Sequence, residues 1–400
     1  MQTNNIAVIG GGAAGMTAAI SAAMGGADVT IYEGGERCGK KILMTGNGRC
    51  NLTNTNAAPK HYHGNDVSFM NDTVNTFWIN ETLEFFSSLG LITKTESEGR
   101  IYPYSNQAAA VLDVLRFKLE ALGVKTVTSF EVKSVRTANG GFEIISYDGQ
   151  RAKADKVIVA TGGKSAPQTG SKGGGYDILK SFGHTITKTR PSLVQIKTEP
   201  DIVRKLKGIK ADATVSIDGH SETGEVLFTD YGLSGIAVFS VTAYLDKQEM
   251  VSLDLMNGMT ENELYEMLCM RAAQNPNITL ENFLVGMLNK RIGQVILKQL
   301  GIEPLSRKAV TLRDSDIKKL TRTIKNWRFK IEGTMSWNNA QVTKGGALTA
   351  EFDSKTMESK LKNGLYAAGE VLDIDGDCGG YNLQWTWASG YIAGKCAAEK

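Results

Sequence analysis

Ile6-Ala7-Val8-Ile9-Gly10-Gly11-Gly12-Ala13-Ala14-Gly15, with Glu33 lying 23 residues after Gly10, is the stretch that decides the fold of this chain. The apolar run predicts a buried strand, the glycines a tight turn, and the small residues after them the start of a helix. Gly10 permits the turn, Gly12 lets backbone approach a pyrophosphate, and Gly15 lets the helix pack closely on the strand. The helix start at Ala13 and Ala14 offers N–H groups and a partial positive charge to phosphate. A second strand, Asp28-Val29-Thr30-Ile31-Tyr32, ends at Glu33, whose carboxylate is placed to accept hydrogen bonds from ribose hydroxyls. An acid there repels a 2′-phosphate and argues against NADP at this site. The pattern alone does not separate FAD from NAD.

The rest of the chain narrows the possibilities. Four hundred residues support two or three domains and a large core. Lys+Arg 45 against Asp+Glu 42, a net charge of +3, is too balanced to imply a nucleic acid or a membrane surface. Cys38, Cys50, Cys269, Cys378 and Cys396 are scattered, with no CxxC pair, so neither a zinc site nor a redox dithiol is indicated. This cysteine usage fits a reducing cytoplasm. Residues 6–24 are apolar and small but lack a basic leader, and their glycines sit where a phosphate loop needs them, so a targeting segment is not expected.

Residues 1–34 read as strand, helix and strand, with the helix from Ala13 to Met24 ended by Gly25-Gly26. Residues 35–56 form a long glycine-rich loop, and loops of that length are usually functional. Helices are expected over 72–89, 107–122 and 172–183, and a meander of strands over 125–149 with Asn139-Gly140-Gly141 as a turn. Lys156-Val157-Ile158-Val159-Ala160-Thr161-Gly162-Gly163 reads as a buried strand ending in small residues, where Thr161 and Gly162 let backbone run beneath a cofactor. After Arg190-Pro191 the character changes to short β-like runs, then to helix over 260–300, then to a mixed stretch. The expected domains are a first FAD-binding part over 1–190, a β-rich insertion over 191–255 and 306–345, a helical subdomain over 256–305, and a second FAD-binding part over 346–400. The fold class is therefore α/β, a Rossmann-like parallel sheet with helices and a β-meander, carrying an inserted β-barrel-like and helical domain.

Near the C-terminus, Gly369-Glu370 ends a strand and places Glu370 to hydrogen-bond sugar-like hydroxyls. Cys378-Gly379-Gly380-Tyr381-Asn382-Leu383-Gln384 opens the last helix, whose N–H groups would face the N1–C2=O2 edge of a flavin. No second GxGxxG with a strand and an acid appears, so a separate NAD(P) domain is not expected. The order of the three elements resembles the FAD-binding, glutathione-reductase-like superfamily with two dinucleotide-binding folds. More narrowly, Lys40 to Asn54, Arg100-Ile101-Tyr102-Pro103-Tyr104-Ser105, Gly232-Leu233-Ser234-Gly235, Thr356-Met357-Glu358-Ser359-Lys360 and Gly364 to Gln384 resemble the HI0933-like family of flavoproteins. That family includes aminoacetone oxidase-like enzymes and a bile-acid-associated branch that reduces steroid enones. The resemblance implies non-covalent FAD, an inserted β-barrel with a helical subdomain over the flavin, and a loop Thr45-Gly46-Asn47-Gly48-Arg49-Cys50-Asn51 beside the isoalloxazine.

The cofactor-binding set expected is Gly10, Gly12, Ala13, Ala14, Gly15, Glu33, Arg37, Lys41, Thr45, Gly46, Asn47, Arg49, Cys50, Asn51, Val132, Thr161, Gly162, Gly369, Glu370, Gly380, Tyr381, Asn382 and Leu383. Arg37, Lys40 and Lys41 are candidates for the pyrophosphate or for plain surface charge, and Arg49 for a charge on flavin or substrate or for a structural ion pair. Arg49, Cys50, Tyr102 and Tyr381, with Tyr104, are candidate proton donors or catalytic residues. Cys50 and Cys378 are read as buried, unreactive thiols. His61-x-His63 reads as surface, and Asp373, Asp375 and Asp377 lack the remaining ligands of a calcium loop. No metal is expected. The expected activity is FAD-dependent, NAD(P)H-driven reduction of an unsaturated or carbonyl-bearing small molecule. The alternatives are a flavin oxidase acting on an amine, and a flavoprotein with structural FAD that modifies RNA. Nucleic acid and membrane are not expected partners, and the oligomeric state is left open.

Overall fold

The computed structural model describes residues 4–138, 140–245, 247 and 249–399. The chain divides into two units, one formed by Met1–Ser192 with Trp337–Lys400 and the other by Leu193–Ser336. Asn139, the first residue of the expected meander turn, lies outside the described residues.

The first unit is built on a five-stranded parallel sheet in the order Leu365–Ala367, Lys156–Val159, Asn5–Ile9, Asp28–Tyr32, Lys125–Val127. Ile6, Val8, Val157, Ile158 and Leu365 are completely buried, as the continuous apolar runs require in a sheet covered on both faces. The helix Ala13–Met24 follows the first strand and packs along the C-terminal helix Tyr381–Ala398. That packing needs glycine. A Cβ on Gly390 would lie 2.5 Å from the Ala14 carbonyl oxygen, and one on Gly394 would lie 2.1 Å from that of Ala18. An antiparallel meander, Val132–Ala138, Gly141–Ser146 and Arg151–Ala154, stands between two strands of the parallel sheet in sequence.

The single helix expected over 72–89 is two, Met70–Thr76 and Ile79–Ser88. The break falls at Phe77, which is extended (φ −152°), and the Trp78 N–H donates to Glu81 at 2.9 Å to start the second helix afresh. Apolar periodicity runs through a break of this kind and hides it.

The second unit is a closed six-stranded barrel in the order Ile196–Thr198, Gly232–Ser234, His220–Phe228, Lys210–Ile217, Met250–Asp254, Trp327–Thr334. It has its own core, with Val215, Phe228, Leu253 and Trp327 among its buried residues. Helices Glu261–Gln274, Lys290–Gln299 and Asp314–Lys325 belong to the same unit. Two expectations shift. The stretch 306–345, taken as β-rich, contains the helix Asp314–Lys325. Residues 337–345 belong to the first unit, because Val342–Lys344 pairs antiparallel with Arg190–Ser192 and closes the insertion at its neck.

Candidate functional site

At the dinucleotide end, the three fingerprint glycines do three different jobs. Gly10 has φ +101°, donates its N–H to the Tyr32 carbonyl at 2.8 Å, and has no room for a Cβ, which would lie 2.6 Å from the Ala160 carbonyl oxygen. A Cβ on Gly15 would lie 1.9 Å from the Gly10 carbonyl oxygen, so here helix and turn are in contact. A Cβ on Gly12 would meet no protein atom within 4 Å. No side chain caps the helix that Gly12 begins, which leaves Ala13 and Ala14 at an open, positively polarised helix end. Glu33 accepts from the Gly11 and Gly35 N–H groups, both at 2.7 Å, and so sits against the turn. Val132 starts the meander with its side chain in the core, so it offers a ligand only backbone. Arg37 is exposed.

Lys41 is not placed as expected. Its Nζ donates to Glu370 Oε2 at 2.8 Å and to Ser165 Oγ at 2.7 Å, so its charge is committed to Glu370 rather than offered to a pyrophosphate. Glu370, expected to meet sugar hydroxyls, is the hub of this network. Its Oε1 also accepts from Ser165 Oγ and from the Thr343 N–H, each at 2.7 Å. Burial alone would raise its carboxyl, but the Lys41 ammonium and the hydrogen bonds from Lys41, Ser165 and Thr343 hold it below the ordinary carboxylate range. Thr161-Gly162-Gly163 runs alongside: a Cβ on Gly163 would lie 3.0 Å from Glu370 Oε1, and Gly162 takes φ +68°. Gly369, with φ +78°, turns the chain so that Glu370 points into this network. Sequence reasoning missed Ser165 and Thr343, because nothing local marks a residue that acts only across the fold.

The loop expected beside the isoalloxazine is strongly contorted. Residues 42–48 form two tight turns broken at Thr45, Gly46 and Asn47. Gly46 and Asn47 have φ +56°, Gly48 +83° and Cys50 +59°. Left-handed backbone at two non-glycine residues within four positions is costly and concentrates where a loop must present itself to a ligand. Asn51 follows, buried, and its Oδ1 has no hydrogen-bond partner. It faces Gly380, whose absent Cβ would lie 2.9 Å from that same oxygen. Gly380 (φ +102°) begins the last helix, which no side chain caps. Asn382 closes the segment before it, accepting from the Gly376 N–H at 2.8 Å and donating to the Gly376 carbonyl at 2.7 Å. Its side chain is therefore a backbone clamp, and Leu383 follows it half-buried in the same helix.

Among the candidate catalytic residues, Arg49 lies over the Tyr102 ring, 4.0 Å from its centroid, and pairs with Glu96 at 2.5 Å and with Asn106. Tyr102 is 8% exposed, and burial raises its phenol above the usual value, so it keeps its proton. Tyr104 is open to solvent. Tyr381 is buried, stacks on His61 at 4.7 Å, and accepts from Tyr62 Oη through its carbonyl at 2.9 Å. Cys50 leaves the set of proton donors. It has no exposed surface, and burial pushes its thiol up to about 12 despite a hydrogen bond with Thr45. Its contribution is its backbone.

One cluster was misread from sequence. His61 and His63, taken as surface, bracket Asp377: His61 Nδ1 lies 3.0 Å from Oδ2 and His63 Nε2 lies 2.7 Å from Oδ1. A two-residue spacing in a polar stretch carries no hint of a partner more than 300 positions away. Among the described residues, no group of three or more His, Cys, Asp or Glu side chains is arranged to hold a metal ion.

The HI0933-like protein Rossmann domain model matches residues 4–396. The chain belongs to the HI0933-like family. Proteins similar to it include a 3-dehydro-bile acid delta(4,6)-reductase from Clostridium scindens, 42% identical over 99% of this chain and all of that protein. Another is a ribosomal RNA dihydrouridine synthase from Escherichia coli, 33% identical over all of this chain and 98% of that one. The fold is also that of a 3-ketosteroid delta1-dehydrogenase from Sterolibacterium denitrificans, at 11% identity, with TM-score 0.50 over 99% of this chain and all of the other.

As an HI0933-like protein the chain is an FAD-dependent oxidoreductase, and its residues fit that cofactor. Gly12 borders space that a Cβ would enter without touching protein, two helix starts are uncapped, and the buried Asn51 Oδ1 lacks a partner beside Gly380. Gly10 to Gly15 and Glu33 suit the ADP half, and Thr45 to Asn51 with Gly380 to Leu383 suit the flavin. Among the described residues, no helix is long and apolar enough to cross a membrane.

Proposed function

We propose that this flavoprotein uses NADH or NADPH to reduce a carbon–carbon double bond conjugated to a carbonyl, in a small apolar substrate of the steroid-enone kind. The observation that carries this reading is the 42% identity, end to end, with a 3-dehydro-bile acid delta(4,6)-reductase. When bound, FAD supplies the hydride-transfer chemistry. The chain supplies the rest. Backbone of Thr45–Asn51 and the open helix start at Gly380 orient the flavin edge. The protonated Tyr102 phenol is the group suited to bind and polarise the substrate carbonyl oxygen, and Arg49, over the Tyr102 ring and paired with Glu96, positions it. Leu43 and Met44, 42% and 54% exposed in the same loop, supply apolar surface that suits a hydrocarbon skeleton.

Anaerobic mixing of the holoprotein with NADH or NADPH should bleach the visible flavin band, and a 3-oxo-Δ4,6 bile acid should restore it. Bleaching by an amine donor alone, with no response to either nicotinamide, would support the oxidase instead.

A second reading has its own support, the 33% identity with a ribosomal RNA dihydrouridine synthase. The reaction type is shared, because the C5=C6 bond of uridine is conjugated to the C4 carbonyl as an enone is. The balanced charge of +3 makes a nucleic-acid substrate the weaker candidate. Reoxidation of the reduced protein by ribosomal RNA but not by the steroid would decide for it.

A further inference from the structure

The stretch between Glu370 and the last helix carries a carboxylate that the function so far does not use. Asp375 is 1% exposed, and neither of its oxygens has a hydrogen-bond partner. An ionised carboxylate left so is expensive, and a native site that tolerates one usually uses it. Its surroundings connect it to solvent. The Asp375 backbone pairs antiparallel with His63 in the Tyr62–His63 and Asp375–Gly376 ladder, so imidazole and carboxyl belong to neighbouring strands. His63 bonds Asp377 Oδ1, and Asp377 Oδ2 bonds His61, whose side chain is 25% exposed. The Asp377 N–H in turn donates to the His61 carbonyl at 2.9 Å, which fixes the loop that carries the aspartate. His61, Asp377 and His63 therefore form a hydrogen-bonded line from the surface to the strand paired with Asp375, a buried acid five residues before Gly380, and no hydrogen bond joins His63 to the Asp375 carboxyl itself.

We propose that Asp375 takes up a proton whenever the FAD bound in this cradle is reduced, and that His61, Asp377 and His63 carry that proton from solvent. The inference rests on the FAD-dependent reading above, but on cofactor binding rather than on the choice of substrate. The balance is simple. Two electrons and one proton arrive as hydride, the site gains negative charge, and Asp375 neutralises it by accepting a second proton from water. When hydride leaves for the double bond, the Asp375 proton returns along the relay to the solvent, and the enolate formed by hydride addition takes a separate proton from solvent, so each turnover consumes one hydride and one proton. The charges facing Asp375 are mixed. Burial is the dominant influence and raises its carboxyl to about 7, His63 and Lys344 act to lower it, and Asp373 and Glu370 act to raise it. Asp377 faces His61, His63 and the Tyr62 phenol. A carboxyl poised in this range binds or releases its proton on a modest change of nearby charge.

The test needs neither nicotinamide nor enone. Holoprotein is photoreduced without oxygen in weakly buffered solution above about pH 7, where Asp375 starts ionised, and a pH-indicator dye counts the protons taken up. Wild type should take up close to one proton more per FAD than Asp375→Asn. His63→Gln should reach the wild-type count but at least about tenfold more slowly. Equal counts in wild type and Asp375→Asn would overturn the proposal. If Asp375→Asn fails to hold FAD, the His63→Gln uptake rate decides instead: slowed uptake supports the relay and an unchanged rate overturns it. Failure of NAD(P)H or the bile acid to react with wild type would count against the reductase reading alone, since the proton count would still be readable.

Discussion

At the scale of single residues, the site is a set of buried charges with unequal support. Glu370 and Lys41 satisfy each other. Removing one partner of a fully buried pair costs ~3–5 kcal/mol, and Lys41 is 29% exposed, so Glu370→Gln should cost about 2 kcal/mol. The pH dependence has a definite sign. The Glu370 carboxyl is depressed in the folded protein, so its contribution is present above the unfolded value of about 4.3 and is lost as pH falls through the lower folded value. Urea unfolding of wild type and Glu370→Gln at neutral and at acid pH should show the difference shrinking in acid. Asp375 behaves in the opposite way. Its folded value is raised to about 7, so the apoprotein loses stability as pH rises from about 4 to about 7, by on the order of 4 kcal/mol. Asp375→Asn should flatten that loss in thermal melts of the apoprotein. The thiols give a simpler check. Iodoacetamide on the native protein should leave Cys38 and Cys50 unmodified, since burial pushes them to about 11 and about 12. Cys378, expected from sequence to be buried, is partly exposed, so it and Cys269 are the positions that mass spectrometry should find modified, with Cys396 modified more slowly because burial raises its thiol.

At the scale of elements, the first strand, turn and helix separate folding from binding within three glycines. Gly10→Ala forces a Cβ against the Ala160 carbonyl in a left-handed conformation and should destabilise the apoprotein by more than about 2 kcal/mol. Gly12→Ala adds a Cβ to open space and should change apoprotein stability by less than about 0.5 kcal/mol. Yet it should weaken FAD binding at least about tenfold, because the added methyl group stands where phosphate approaches. Thermal melts of the two apoproteins together with FAD titration test this. If Gly12→Ala binds FAD as wild type does, the cofactor does not lie over this turn.

At the scale of the whole molecule, the chain is two folding problems joined at Ser192 and Trp337. The barrel closes on itself and buries its own core, so Leu193–Ser336 expressed alone should unfold cooperatively on heating and bind no FAD. Non-cooperative melting would show that the barrel depends on the rest of the chain.

What sequence alone determined was whatever depends on neighbours in the chain. The Rossmann turn, the acid at Glu33, two sheet strands expected over 156–163 and 364–370, and the change of character after Pro191 follow from local periodicity and glycine placement, although the strands end earlier, at Val159 and Ala367, and Gly369–Val371 is a short turn. The contorted loop over 42–51 was legible as a location through its glycines, but the left-handed Asn47 and Cys50 were not. What only the tertiary structure decided was the partner of each charge. Lys41 meets Glu370 across more than 300 residues, His61 and His63 meet Asp377 over a similar separation, and the Asp375 carboxyl has no hydrogen-bond partner. The physical reason is that a charge acts through space over a few ångströms, in a dielectric set by burial. A linear pattern contains neither the distance nor the burial, so it names the ionisable groups and leaves their roles to the fold.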